Sequence, residues 1–260
     1  MCRLAAYIGA EIPLENIIIK PGHSLLEQSQ DAREAKMTVN GDGFGIAWYD
    51  NNNQLGVYKD VLPAWADANL LSICKMVKSH VFIAHIRAST FGATSRENCH
   101  PFAFENWSFA HNGGIGEFAL IRREVENLLG NKYYAARRGY TDSELFFLLM
   151  LTNGLEENVV HSLEKTISQV SELVERYNAF GSPIRLTCTF SNGEKIFGFR
   201  YASDNKSPSL YVSNQLDNGG YALASEPLHG DGTEWQKVRP GYLVELADGV
   251  TKIQSLNIVA

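Results

Sequence analysis

Four short segments carry side chains that could do chemistry together: Met1-Cys2-Arg3, His85-Ile-Arg-Ala-Ser-Thr90, His111-Asn-Gly-Gly114 and Thr141-Asp-Ser-Glu144. A cysteine directly after the initiator Met is small enough for the Met to be trimmed. Trimming would put a free α-amine on the residue that carries the thiol. The reference pKa of an α-amine is about 7.7–8.0, so about a tenth of it is neutral at pH 7. A neutral amine a few bonds away can accept the thiol's proton, directly or through a water. That is the nucleophile-and-base pairing that covalent acyl transfer requires. The bland reading makes Cys2 a small buried hydrophobe.

Asn112 followed by Gly113 and Gly114 offers a carboxamide and a backbone N–H that could hold a tetrahedral oxyanion. Asn-Gly is equally a common turn. Arg87 ends an apolar strand, where a buried cation needs a partner. Its guanidinium could hold a carboxylate in a bidentate pair, form a structural salt bridge, or stand in solvent at the strand end. Asp142 could bind an ammonium group, or serve as a first-turn carboxylate favoured by the helix dipole. Other residues point to less. His85, His100 and His111 lack the spacing of a zinc motif, and no metal or cofactor is expected. Asp42-Gly-Phe-Gly45 precedes a strand rather than a helix, which makes it a poor phosphate loop. Cys74 and Cys188 read as core. Cys99 and His100 are adjacent on an extended chain and so point to opposite sides.

These segments need a scaffold. Residues 3–8 read as a strand at the start of the chain. Residues 44–49 and 55–58 read as a hairpin around Asn51-Asn-Asn53. Residues 81–86 and 107–111 read as further strands. Residues 116–129 read as an amphipathic helix, with Phe118, Ile121, Val125 and Leu128 at helical spacing. Thr141-Asp-Ser-Glu144 is a capping box that leads into the apolar run at 145–151. A long helix is expected over 156–177, with Val159, Leu163, Ile167, Val170 and Leu173 on one face. Residues 184–190, 195–201, 210–212, 221–225 and 242–246 return to a period of two. Strands, then helices, then strands again argue for α+β with mostly antiparallel sheets. No linker or repeat divides the chain, so a single domain over 1–260 is expected.

At 260 residues, with 45% hydrophobic and 20% charged residues, the chain has a globular composition. A chain this long buries roughly three quarters of its unfolded surface. Its 23 basic and 29 acidic residues give a formal charge of -6, which disfavours a nucleic-acid partner. The longest apolar run falls far short of a membrane span. Four cysteines in so large a chain read as reduced thiols, and a cytoplasmic location is expected.

Taken in order, the segments resemble a class II glutamine amidotransferase domain of the N-terminal nucleophile hydrolases. Cys2 matches the nucleophile position. Gly41-Asp-Gly-Phe-Gly-Ile-Ala-Trp48 is similar to the family's Gly-rich loop and second strand. The resemblance continues through His85-Ile-Arg-Ala-Ser-Thr90, Asn98-Cys-His-Pro101, Phe109-Ala-His-Asn-Gly-Gly114 and Thr141-Asp-Ser-Glu144. Ala224-Ser-Glu-Pro-Leu228 followed by Trp235 is similar to a stand-alone branch that includes the ergothioneine-pathway γ-glutamyl amidohydrolase. The resemblance implies a four-layer αββα sandwich of two facing antiparallel sheets. It implies that Cys2 attacks the side-chain amide of glutamine or another γ-glutamyl amide, with its own α-amine as base. Asn112 and the Gly113 N–H would stabilise the oxyanion. Arg87, helped by Thr90, would bind the substrate α-carboxylate. Asp142, with a carbonyl from the Gly113–Gly114 turn, would bind the α-ammonium.

Ala88 and Phe91 depart from the aromatic and polar residues common at those places, which points to a substrate other than free glutamine. No synthase domain is expected to follow, so the resemblance implies an enzyme that either hydrolyses the amide outright or works with a separate synthetase subunit. Two rival readings differ in class. A penicillin or bile-salt type amidase also uses an N-terminal Cys, but wants an apolar acyl pocket in place of Arg87 and Asp142. A catalytically silent subunit would keep the fold to bind a γ-glutamyl ligand.

Overall fold

The computed structural model describes residues 2–34, 39–88, 94–230, 234–247 and 249–258. In chain order its strands are β1 (Arg3–Pro13), β2 (Phe44–Tyr49), β3 (Leu55–Asp60), β4 (Lys78–Ile86), β5 (Phe102–Phe104), β6 (Trp107–Gly114), β7 (Arg185–Ser191), β8 (Ile196–Ala202), β9 (Tyr211–Ser213), β10 (Tyr221–Ala224), β11 (Trp235–Lys237), β12 (Tyr242–Ala247) and β13 (Val250–Ser255). They form two antiparallel sheets, ordered β11-β9-β10-β1-β4-β2-β3 and β13-β12-β8-β7-β6-β5. β1, the first strand in the chain, is therefore central, held between β4 and β10.

The period of two along each strand sorts side chains into layers. Leu4, Ala6 and Ile8 of β1 meet Ala110 of β6 and Val244 of β12 in a core between the sheets. The alternate residues Ala5 and Tyr7 pack outward, in one cluster with residues of α1 (Glu15–Ile18), α2 (Leu25–Gln30) and α3 (Ala68–Met76). Phe109, Phe190 and Phe199 face the other way, in one cluster with residues of α4 (Phe118–Leu128), α6 (Asp142–Thr152) and α7 (Val159–Arg176). The short α5 (Asn131–Ala136) leads from α4 toward α6. The result is the αββα sandwich that the resemblance implies.

Local chemistry explains where the elements begin. The Thr141 hydroxyl accepts from the Glu144 N–H at 3.2 Å and caps α6. The Glu144 carboxylate does not return to Thr141, as a capping box would have it. It accepts instead from the N–H groups of Arg138 and Gly139, at 2.8 and 2.7 Å, and so ties down the preceding turn. Residues Ser143 to Leu151 of α6 are buried on every side, which is why the run is apolar all round. α7 starts at Val159 rather than at 156 because the Asn158 side chain accepts from the His161 N–H. α4 buries Ile121 and Val125 but leaves Leu128 38% exposed, a narrower stripe than its periodicity suggests. β13 pairs only with β12 and is mostly exposed, so it lacks the alternation that marks a half-buried strand.

Candidate active site

Leu4 and Ala6 point between the sheets, so alternation places Cys2 on the same inner face and Arg3 on the outer one. The Cys2 Sγ receives the Ala88 N–H at 3.4 Å and faces the Ala88 carbonyl at 3.6 Å. Burial pushes the thiol up. The Ala88 N–H and the charges of Arg87 and Arg3 pull the other way without overcoming it. The resting group is thus a thiol that needs a base, not a standing thiolate. Cys2 is half-buried, whereas Cys74, Cys99 and Cys188 are fully buried. Cys99 turns its sulfur to the carbonyls of Asp60 and Ser95, away from any histidine partnership.

Asn112 lies within β6, paired with Thr187 of β7, on the same inner face as Ala110. It is 1% exposed, and neither carboxamide atom has a hydrogen-bond partner among the described residues. An unmet buried amide costs roughly 1–3 kcal/mol. The two sheets are tied beside it: His85 Nε2 donates to the His111 carbonyl at 3.1 Å, and His85 pairs with Leu4. Cys2 and Asn112 therefore both lie within two residues of one cross-sheet link.

Gly113 and Gly114 are not a turn. They continue β6, opposite Leu186 and Arg185. Gly113 has φ +147°, and a Cβ there would sit 2.0 Å from the Arg185 carbonyl oxygen and 2.7 Å from His111 Nε2. Only glycine fits. Asp142 locks the strand just beyond. Its Oδ2 accepts from the Ile115 N–H at 2.8 Å, and its Oδ1 accepts from the Ser143 N–H at 2.8 Å and hydroxyl at 3.2 Å. A carboxylate has about four acceptor positions, so about one remains.

Arg87 directly follows β4 and is 4% exposed, which removes the solvent alternative. Its N–H donates to the Gly43 carbonyl at 2.8 Å, and its carbonyl accepts from the Asp42 N–H at 3.1 Å. The glycine-rich loop is thereby fastened to the strand that carries the arginine. Thr90 and Phe91 lie outside the described residues.

Three of the histidines cluster. The His85 and His100 rings are 4.2 Å apart, and those of His100 and His111 are 6.5 Å apart. Burial depresses all three, His85 to about 3. Among the described residues, no group of three or more His, Cys, Asp or Glu is placed to hold a metal ion. None of their helices is long and apolar enough to cross a membrane.

Reading the sequence by motif missed one cluster. Arg3, His23 and Glu226 meet on the outer face beneath Cys2. Arg3 had a signal: a cation on the face opposite Leu4 must reach solvent or, if buried, find a carboxylate.

The chain is similar to known proteins. The family profile described as class II glutamine amidotransferases matches residues 22–258. A probable glutamine amidotransferase of Saccharomyces cerevisiae, DUG3, is 30% identical over 92% of this chain and 79% of its own length. The γ-glutamyl-hercynylcysteine sulfoxide hydrolase of Mycolicibacterium smegmatis is 29% identical, over 95% of this chain and 96% of its own. Among solved structures, a glutamine aminotransferase class-II domain protein from Silicibacter pomeroyi aligns with a TM-score of 0.79 at 32% identity. That alignment covers 98% of this chain and 100% of the other.

Proposed function

The chain belongs to the class II glutamine amidotransferases, and from that premise we propose that it hydrolyses γ-glutamyl amides through Cys2 as the N-terminal nucleophile of a single catalytic domain. With Met1 removed, the Cys2 α-amine takes the thiol proton. Sγ then attacks the amide carbon, and the carbonyl oxygen gains the negative charge. The Asn112 Nδ2 and the Gly113 N–H donate to that oxyanion. Its collapse breaks the C–N bond, the amine leaves with the proton, and a glutamyl thioester remains. Water attacks the thioester and releases glutamate and the free thiol.

The observation that carries this reading is the unmet Asn112 carboxamide, on the inner face that Cys2 shares. A folded protein usually pairs such a group with protein, water or a ligand, and a substrate oxygen beside Cys2 would supply that partner. Arg87, with Thr90 as helper, binds the substrate α-carboxylate. The remaining acceptor position of Asp142, with the Gly114 carbonyl, binds the α-ammonium. One buried cation and one carboxylate suit a zwitterionic head group, and a γ-glutamyl group is named in the mycobacterial relative. An apolar acyl group would make no use of either charge, which weighs against a penicillin or bile-salt type substrate.

The test is glutamate release from glutamine and from γ-glutamyl-p-nitroanilide by wild type and Cys2→Ala. Turnover that vanishes in Cys2→Ala supports the reading, and turnover that persists overturns it. Turnover seen only when a synthetase subunit is added would assign the leaving amine to that partner.

A further inference from the structure

Chain termini usually fray, yet a nucleophile at the second residue must be held to within about half an ångström. The outer face of β1 shows what could hold it. Arg3 Nε donates to the Cys2 carbonyl at 2.8 Å, and Arg3 Nη1 donates to Glu226 Oε1 at 2.6 Å. Both side chains are almost wholly buried, at 1% and 2% exposure. The Glu226 carboxylate accepts three more hydrogen bonds. They come from His23 Nε2 at 2.7 Å, the Arg33 N–H at 3.1 Å and the Glu34 N–H at 2.9 Å. A carboxylate can only accept, so His23 Nε2 carries the proton.

Burial opposes the ionisation of Glu226. The donors and the Arg3 charge outweigh it and hold the carboxyl below its usual range. The residue before Glu226 grips the same strand. The Leu4 N–H donates to the Ser225 hydroxyl at 3.0 Å, and the Ser225 N–H donates to the Leu4 carbonyl at 2.9 Å. On the other edge of β1, Arg3 pairs with Ile86 of β4.

We propose that Arg3 and Glu226 are positioning residues for the reaction: the guanidinium clamps the Cys2 carbonyl and Glu226 anchors the clamp, fixing the thiol and α-amine against Asn112. The proposal rests on Cys2 as the nucleophile. It assigns the fork of Arg3 a task that charge alone cannot do, because Nε and Nη1 serve two acceptors at once. A lysine keeps the charge but cannot reproduce that pair of contacts.

The experiment compares Arg3→Lys and the double variant Arg3→Met/Glu226→Gln with wild type. The double variant leaves no buried charge orphaned. The readouts are kcat and KM for γ-glutamyl-p-nitroanilide, melting temperature, and the rate at which a glutamine-analogue diazoketone alkylates Cys2. Misplacing a reacting group by an ångström costs about 10²-fold. We expect kcat and the alkylation rate to fall together by about 10- to 100-fold in both variants, with KM within about threefold of wild type. A wild-type kcat in the folded double variant, or a loss confined to KM, overturns the proposal. If the double variant does not fold, the same comparison on Arg3→Lys decides. Cys2→Ala separates the two levels. Its turnover sinks the nucleophile reading itself, while an inactive Cys2→Ala beside a fully active double variant sinks only the clamp.

Discussion

Replacing Asn112 with alanine should damage catalysis while sparing or improving stability. Loss of one preorganised oxyanion donor typically lowers kcat by about 10²–10³-fold, roughly 2.7–4 kcal/mol of transition-state stabilisation. The folded-state balance runs the other way. The carboxamide is 1% exposed with no partner among the described residues, so removing it relieves a desolvation cost of roughly 1–3 kcal/mol. Truncation also leaves a void of about 30 Å³, which at about 24 cal/mol per Å³ costs under ~1 kcal/mol. The net lies between about zero and +2 kcal/mol. In a chain of this size that is an unchanged melting temperature or a rise of several degrees. Initial rates on γ-glutamyl-p-nitroanilide and glutamine give kcat and KM, and thermal unfolding by circular dichroism gives the stability. KM should stay near wild type. A wild-type kcat, or a melting temperature lower by more than about 5 °C, would make Asn112 a structural residue and refute the reasoning.

Arg87→Lys should raise KM by about tenfold or more and leave kcat within a few-fold, since a point charge replaces a bidentate fork. Steady-state kinetics check it, and an unchanged KM removes Arg87 from the head-group site. Gly113→Ala should destabilise the fold by several degrees and abolish turnover. Its Cβ would lie 2.0 Å from the Arg185 carbonyl oxygen, at a φ of +147°. A stable, active Gly113→Ala enzyme contradicts that geometry. His85 supplies a pH test. Burial lowers it from the ordinary 6.5 to about 3, so the unfolded chain binds the proton first. Its stabilising contribution is complete above about pH 6.5 and is lost as pH falls toward 3. Melting temperature should therefore drop between pH 7 and 4.5, less steeply in His85→Gln. Equal slopes in the two proteins would rule His85 out as the source.

The fold was legible where periodicity and burial coincide. β2 runs over residues 44–49, as the hairpin reading around Asn51-Asn-Asn53 indicates, and α7 buries Leu163, Ile167, Val170 and Leu173 as one stripe. Edges were less legible, because β13 is exposed and pairs on one side only. At the site, the residue types spoke before the backbone did. Asn112-Gly-Gly114 looks like a turn because asparagine and glycine are turn formers. It is strand because the close approach of the Arg185 carbonyl and the His111 ring leaves room only for glycine at 113. Asp142 reads as a binding or capping carboxylate, but its bond to the Ile115 N–H depends on a contact across 27 positions. The Arg3–Glu226 pair spans 223 positions, a separation that no local pattern encodes.

The most direct test of the central claim is the intact mass of the purified protein before and after reaction with a glutamine-analogue diazoketone. The chemistry derived for Cys2 predicts a mass lacking Met1 and one stoichiometric adduct, mapped to the Cys2 peptide. A retained Met1 with no adduct would contradict it, leaving Cys2 without its amine and the fold with a binding role in place of catalysis.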